Sequence, residues 1–137
     1  MNLVLDASVA LAWAFENEGG DYPKLVLEAL GRAEAVTSSL WPLEVSNGLI
    51  TAERRGRITA ADSSRFAALL MALPIVIEPL DRRRVFEATR LLARSRGLSV
   101  YDAHYLELAG RLGVPLATLD KGLTAAAEAE GVGIFRG

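Results

Sequence analysis

Residues 1–15 read MNLVLDASVALAWAF, and the order of apolar and polar residues in this segment predicts its local structure. The apolar run from Asn2 to Leu5 stops at Asp6, and a second apolar stretch, Val9 to Phe15, follows Ser8, whose side-chain oxygen can cap a helix. The segment therefore predicts a short buried strand, a sharp turn and a helix.

The remainder of the chain continues this alternation of short apolar strands and helices. Gly, Pro and capping residues separate the segments, and the predicted order is β, α, α, β, α, α, β, α, α, β, α, β. After the first strand and helix, strands are predicted at 35–37, 75–77, 114–118 and 132–135, and helices at 23–31, 42–56, 59–73, 81–96, 99–113 and 123–130. Short buried strands between helices indicate the α/β class, with a mostly parallel sheet covered by helices on both faces.

The composition limits the classes of protein to which the chain can belong. It has 137 residues, a formal net charge of −2, 51% hydrophobic residues and no cysteine. These values fit one domain over residues 1–137 with a single core, and they exclude a disulfide framework and a thiolate metal site. The longest apolar run, Phe66 to Ile77, is too short to cross a bilayer, and the N-terminal residues do not resemble a signal peptide. We therefore expect a soluble, cytoplasmic protein with no membrane partner.

Four carboxylates stand at positions where a parallel sheet binds ligands. Asp6 ends the first strand, Asp120 follows a later strand, and Asp102 and Glu44 lie in the first turns of two helices. Parallel sheets bind ligands outside the carboxyl ends of their strands, so this topology should bring the four acids together. Each acid alone also has a structural explanation as a turn residue, a helix cap or a favourable charge at a helix N-terminus.

A cluster of four ionised carboxylates needs cations to neutralise it. Oxygen ligands without His or Cys select Mg²⁺ or Mn²⁺ over Zn²⁺, and such an ion can activate water for attack on phosphorus. The predicted reaction is phosphodiester hydrolysis. Three polar neighbours could support the acids, namely Ser8, Asn47 and Thr118.

At these residues the sequence resembles the PIN domain, and in particular the VapC-type toxins of toxin–antitoxin pairs. Four segments carry the resemblance: LVLDASV at 3–9, LWPLEVSN at 40–47, SVYDAHYLELA at 99–109 and LATLD at 116–120. They occur in the order and spacing of the family, so the resemblance spans essentially the whole chain.

The resemblance implies a single PIN-like α/β/α sandwich and Mg²⁺- or Mn²⁺-dependent endoribonuclease activity. It assigns Asp6, Glu44, Asp102 and Asp120 to the acidic quartet, with Asp6 and Asp102 as metal ligands and the other two binding directly or through water. It also implies an RNA substrate, a homodimer, and a VapB-type antitoxin whose C-terminal segment covers the site.

Three other interpretations remain open. A housekeeping RNA-processing PIN nuclease would share the same acids, and a non-catalytic PIN-like scaffold would bind RNA or a partner without cleavage. A phosphatase with an aspartyl nucleophile is disfavoured, because Ser8 stands where that chemistry normally needs a second aspartate.

Arginine provides 13 of the 15 basic residues and forms clusters that could bind RNA phosphates. The favoured candidates are Arg82, Arg83 and Arg84, or Arg94 with Arg96, while a third cluster comprises Arg54, Arg55 and Arg57. In the alternative interpretation, all three clusters are solvated charges near helix ends.

The sequence suggests structural roles for one histidine and two tryptophans. His104 follows Asp102 by two positions, which places it on nearly the opposite face of a helix, so we expect a surface or interface residue and not a metal ligand or base. Trp13 and Trp41 are expected in the core, although either could line an antitoxin groove.

Overall fold

The computed structural model describes residues 1–15 and 18–137, and its centre is a sheet of four parallel strands. The strands are β1 (Leu3–Leu5), β2 (Ala35–Ser38), β3 (Ile75–Glu78) and β4 (Leu116–Ala117), in the order β3-β2-β1-β4. Every pairing is parallel, so the carboxyl ends of all four strands lie at one edge. This confirms the predicted fold class.

The strands β1, β2 and β4 are buried throughout, whereas β3 is an exposed edge strand. Leu3, Val4 and Leu5 have no solvent-accessible surface, so β1 is covered on both faces. In contrast, Val76 and Ile77 in β3 are 40% and 41% exposed. The three apolar residues at 75–77 therefore do not mark a fully buried strand, because apolar composition alone does not distinguish the middle of a sheet from its edge.

The helices pack in two groups. The first group contains α1 (Ala7–Ala14), α2 (Tyr22–Ala29), α3 (Trp41–Arg54) and α4 (Ala60–Ala72), in which α1 packs on α2 and α3, and α3 on α4. The second group contains α5 (Arg82–Arg84), α6 (Arg90–Arg96), α7 (Val100–Leu112) and α8 (Lys121–Ala129), with α7 in contact with β1, β2, β4, α6 and α8. None of the helices in the described parts of the chain is long and apolar enough to cross a membrane.

Side-chain caps define four of the helix starts, as the sequence predicted. Thr59, Asp81, Ser99 and Asp120 each accept a hydrogen bond from the backbone N–H three residues further on. The expected cap at Ser8 is wrong. The first helix begins at Ala7 without a side-chain cap, and the Ser8 hydroxyl bonds to a neighbouring carboxylate instead.

Two other segments differ from the prediction. The single helix expected over 81–96 is interrupted between α5 and α6 by a π-helical turn, Val85–Thr89. The expected last strand at 132–135 is reduced to one parallel bridge between Leu116 and Ile134. The loop predicted from Glu16 to Tyr22 falls partly outside the described residues, which resume at Glu18.

Two glycines have clear steric roles. Gly97 ends α6 with a φ of +65°, a conformation in which a side chain would be strained. Gly48 lies in α3 against α1, and a Cβ atom there would come within 2.7 Å of the Leu11 methyl groups. The absence of a side chain at position 48 thus allows α1 and α3 to approach closely.

Candidate functional site

Asp6 is the most buried acid of the predicted quartet. It follows β1, is 4% exposed, and donates its backbone N–H to the Ala117 carbonyl of β4 at 3.1 Å. Its carboxylate oxygen Oδ2 accepts hydrogen bonds from Ser8 Oγ at 2.8 Å and Thr118 Oγ1 at 2.7 Å. Hydroxyl donors at these distances stabilise a buried carboxylate by charge-assisted hydrogen bonds.

The same two hydroxyl groups connect Asp6 to the turn between β4 and α8. Thr118 Oγ1 accepts the Asp120 N–H at 3.0 Å, and Ser8 Oγ accepts the Leu119 N–H at 3.1 Å. Ser8 and Thr118 therefore both contact the Asp6 carboxylate, and their supporting role in a metal site stays a prediction.

This network lies where the strand order reverses. From β1 the chain continues to β2 on one side and reaches β4 on the other side only after β3, so β1 and β4 flank the switch point. Crevices of open α/β sheets form at such points, outside the carboxyl ends of the strands. The topology thus places Asp6 and Asp120 at the position expected for a ligand site.

Glu44 comes to the site from the first turn of α3. It is half-buried, and its Oε1 accepts a hydrogen bond from the Tyr105 hydroxyl at 2.9 Å. Burial raises the pKa of Glu44, and repulsion from Asp6 and Asp102 raises it further, while the hydrogen bond from Tyr105 opposes the change.

Asp102 comes from the first turn of α7 and is also half-buried. Burial raises its pKa, followed by repulsion from Asp120 and Asp6, and the Ser99 hydroxyl opposes the shift. The four acids are thus linked in pairs by repulsion, because Asp6 and Asp102 act on Glu44, and Asp120 and Asp6 act on Asp102.

The donor set fits a hard divalent cation. Carboxylate oxygens are ligands that Mg²⁺ and Mn²⁺ accept, and no His or Cys in this cluster would favour Zn²⁺. Within residues 1–15 and 18–137, no three acidic, His or Cys side chains are grouped closely enough to form a ready cage. The fit therefore depends on the chemistry of the acids and on their mutual repulsion, which a cation would relieve.

Asn47 is not part of this network. It lies on α3 one turn after Glu44, is exposed, and makes no side-chain hydrogen bond to the described residues. Its supporting role stays a prediction.

The two favoured arginine clusters lie at different places in the fold. Arg82, Arg83 and Arg84 form the short helix α5, which three residues separate from the carboxyl end of β3, so the chain enters α5 from the edge of the sheet at which Asp6 lies. Arg94 and Arg96 end α6, about 18 Å further along the helix axis at the usual rise per residue. Arg83 pairs with Glu87, and Arg96 pairs with Glu130 at 3.2 Å.

The third arginine cluster is remote from the four acids. Arg54 and Arg55 are exposed at the end of α3, the helix whose first turn carries Glu44. Arg57 pairs with Glu18 at 3.4 Å and stacks on the Phe15 ring at 4.3 Å.

The expectation that His104 is a surface residue is wrong. His104 is 5% exposed, and its Nε2 bonds to Ser38 Oγ at 2.6 Å, while Nδ1 contacts the Tyr101 carbonyl oxygen. Burial lowers its pKa. Because α7 is covered on several sides by the sheet and by α6 and α8, a residue opposite Asp102 still faces the protein interior.

Tyr105 was not identified from the sequence, although it contacts Glu44 directly. It lies in a run of α7 residues that are buried around most of the helix, from Ala103 to Leu106. A buried tyrosine usually needs a partner for its hydroxyl group, and this requirement was the available signal.

The two tryptophans differ in burial. Trp41 is 6% exposed, in agreement with the predicted core position, and its Nε1 has no hydrogen-bond partner in the described residues. It also lines a groove of about 390 Å³ between α3, α4 and β3. Trp13 is only half-buried and donates its Nε1–H to the Pro23 carbonyl at 2.7 Å.

Comparisons with known proteins agree with this architecture. The family model described as PIN domain matches residues 3–129, so the chain belongs to the PIN domain family.

The chain is also similar to individual PIN domain proteins of the VapC type. It is 31% identical to Ribonuclease VapC3 of Pyrobaculum aerophilum over 124 residues, which cover 90% of this chain and 92% of the relative. It is 33% identical to Ribonuclease VapC9 of Mycobacterium tuberculosis over 128 residues, 93% of each chain. The crystal structure of PAE2754 from Pyrobaculum aerophilum superposes with a TM-score of 0.68 at 28% identity, covering 92% of this chain and 84% of that one. Among PIN domain proteins, this chain therefore groups with the VapC type.

Proposed function

We propose that this protein is a Mg²⁺- or Mn²⁺-dependent endoribonuclease and the toxin of a VapBC-type toxin–antitoxin pair. The observation that carries the proposal is that Asp6 lies at the switch point of the sheet and that pairwise repulsion links it and Asp120 with Glu44 and Asp102. The similarity to proteins named ribonuclease VapC over 90% or more of the chain supports it. A cytoplasmic location is part of this proposal.

The residues of the site suit metal-assisted phosphodiester hydrolysis. Asp6 and Asp102 would hold the cation, with Glu44 and Asp120 binding directly or through water. When bound, the cation would stabilise charge on the phosphate and lower the pKa of a water molecule. Ser8 and Thr118 keep the Asp6 carboxylate in one orientation by their hydrogen bonds to Oδ2. Hydrolysis then adds water across one P–O bond and leaves a phosphomonoester and a hydroxyl end.

The cluster Arg82 to Arg84 is the better candidate for RNA contacts. Strands in a sheet are about 4.8 Å apart, so the end of β3 is roughly 10 Å from the end of β1, where Asp6 lies. This separation suits phosphates next to the one being cleaved. Arg94 and Arg96 would reach RNA only if it also followed the length of α6.

The groove between α3 and α4 is the proposed antitoxin contact. It begins at Trp41, three residues from Glu44, and its walls are apolar, including Val45, Leu49 and Leu70. Met71 lines it and is 81% exposed, which is unusual for a large apolar side chain. An amphipathic antitoxin helix could fill this groove, and the following segment could then cover the acids.

A homodimer is the proposed assembly. Phe86 and Leu91, on the π-helical turn and α6, are 63% and 61% exposed, and Tyr101 at the start of α7 is 61% exposed. Light scattering of the purified chain tests this assembly, and substitution of Phe86 and Leu91 by polar residues should give monomers.

The cleavage experiment uses the purified chain, freed of any antitoxin, with total cellular RNA in Mg²⁺, in Mn²⁺ and in EDTA. We expect discrete cleavage that requires metal and is lost in Asp6→Asn and Asp102→Asn. Cleavage that persists in both variants, or in EDTA, would contradict the assignment of the site. Tight RNA binding without cleavage under any metal would indicate the non-catalytic scaffold instead.

A second experiment separates a toxin from a housekeeping nuclease. Expression of the chain alone should arrest growth, and co-expression of the product of an adjacent small gene should relieve the arrest and co-purify with the chain. Met71→Asp should weaken this co-purification while RNA cleavage by the isolated chain is retained. Expression without growth arrest would favour the housekeeping role.

A further inference from the structure

We propose that Tyr105 is a positioning residue that holds the Glu44 carboxylate in the orientation needed for metal binding. This inference rests on the proposed function, because it assigns Tyr105 to the support of the same acidic site. It adds a residue that the four acids and their supporting hydroxyl groups do not include.

The contact joins two helices that reach the site from different parts of the fold. Tyr105 is fully buried on α7, and its hydroxyl donates to Glu44 Oε1, on α3, at 2.9 Å. A phenol has one proton to donate, so this proton is committed to the carboxylate. The backbone amide of Ala7 lies close enough to the phenol oxygen to interact with it, which places the hydroxyl between the start of α1 and Glu44.

The tyrosine ring is held in place by its burial and by the neighbouring His104 ring. Tyr105 has no exposed surface, and the neighbouring His104 ring lies 4.0 Å from it, centroid to centroid, at a 45° tilt. His104 is itself anchored to β2 through Ser38. The hydroxyl is therefore presented from a rigid position, not from a mobile side chain.

Glu44 needs such a restraint. Glutamate has three rotatable side-chain bonds and loses considerable rotamer freedom when it is fixed. Glu44 is only half-buried, and it is repelled by Asp6 and Asp102, so without a donor its carboxylate would turn towards solvent. The Tyr105 hydrogen bond opposes this movement and keeps the carboxylate beside the other acids.

The test measures Mn²⁺ binding directly, by calorimetry of the full chain without RNA. Tyr105→Phe keeps the ring and removes only the hydroxyl, and we expect Mn²⁺ affinity to fall about tenfold or more, as is typical for loss of a group that orients a metal ligand. Ser95→Ala is the control, since it removes a hydroxyl on α6 that donates at 3.3 Å to the Leu92 carbonyl and contacts none of the four acids, and its Mn²⁺ affinity should equal that of the wild type. In RNA cleavage, Tyr105→Phe should need more Mn²⁺ for half-maximal rate while the KM for RNA stays unchanged.

A double-mutant cycle tests whether the effect acts through Glu44. Glu44→Ala should weaken Mn²⁺ binding, and adding Tyr105→Phe to it should cause no further loss. Equal affinity of Tyr105→Phe and wild type, or equal losses in Tyr105→Phe and Ser95→Ala, would overturn the proposal.

Asp6→Asn distinguishes failure of this inference from failure of the proposed function. If Asp6→Asn loses Mn²⁺ binding and Tyr105→Phe does not, the metal site stands and the role of Tyr105 is wrong. If Asp6→Asn binds Mn²⁺ as well as the wild type does, the metal site itself is wrong, and the assignment of Tyr105 falls with it.

Discussion

Replacement of Thr118 by valine tests how strongly the Asp6 carboxylate depends on its hydroxyl donors. Valine has nearly the same shape as threonine, and Thr118 is buried, so the change removes the 2.7 Å hydrogen bond to Asp6 Oδ2 with little change in packing. A hydrogen bond to a charged group contributes about 1.5–3 kcal/mol. Ser8 still donates to the same oxygen of Asp6. The Asp120 N–H also loses its acceptor, but at a partly exposed position. We therefore expect the free energy of unfolding to fall by about 2 kcal/mol.

The assay is urea unfolding at neutral pH in EDTA, with Thr37→Val as the matched control. Thr37 is also buried, and its hydroxyl donates at 2.8 Å to the Leu5 carbonyl, which is uncharged. A bond between neutral groups is worth about 1 kcal/mol, so Thr37→Val should cost roughly half as much as Thr118→Val. The two variants should have the same m value as the wild type, because neither changes the surface exposed on unfolding.

The comparison can refute the reasoning. If the two valine variants lose the same free energy of unfolding, the bond from Thr118 is no stronger than one between neutral groups, and the charge-assisted interpretation of the Asp6 network is wrong. If Thr118→Val is more stable than the wild type, the hydroxyl group serves the site at a cost to the fold.

Three further predictions concern pH, packing and charge. Glu44 and Asp102 have raised pKa values in the native state, which therefore holds their protons more tightly than the unfolded chain does. Their joint contribution to stability in EDTA should be largest below about pH 4 and should be lost as pH rises from about 4 through the raised native values. Urea titrations at several pH values check this, because Asp102→Asn should lose less stability than the wild type over the same pH range. His104→Ala should lower the free energy of unfolding by about 2–3 kcal/mol, because it removes a buried ring and one of the two hydrogen bonds of the Ser38 hydroxyl, which still accepts the Leu40 N–H; a loss below about 0.5 kcal/mol in urea unfolding would contradict the interior role. Replacement of the three arginines at 82–84 by glutamine should reduce the slope of log K for RNA against log salt by about 0.7 for each phosphate that the protein no longer neutralises, whereas the same change at Arg94 and Arg96 should leave the slope nearly unchanged.

The positions of the acids could be predicted from the sequence because they depend on local patterns. Asp6 follows an apolar run, Asp120 follows another, and Asp102 has the spacing of a capping box with Ser99, so strand ends and helix starts were visible. The parallel topology then implied that these ends share one edge of the sheet. The pairings of β1 with β2 and β4 confirm that inference.

The partners of the buried polar residues could not be predicted in the same way. Tyr105 bonds to Glu44, 61 positions earlier in the chain, and His104 bonds to Ser38, 66 positions earlier. Such contacts depend on how α7 lies against β2 and α3, and the periodicity of one helix contains no information about the neighbouring elements. The helix cap predicted at Ser8 is wrong for a related reason. The local sequence is compatible with a cap, but in the fold the Ser8 hydroxyl donates to the buried Asp6 carboxylate.

The close approach of α1 and α3 at Gly48 brings together two segments that are far apart in the sequence. Asp6 precedes α1 and Glu44 begins α3, so the gap between these helices contributes to the separation of the two carboxylates. A methyl group at position 48 would meet the end of the Leu11 side chain, so this side chain would have to change rotamer or the helices move apart unless residue 11 became smaller. Positions 11 and 48 should therefore change together among relatives that keep activity, with their summed side-chain volume held nearly constant.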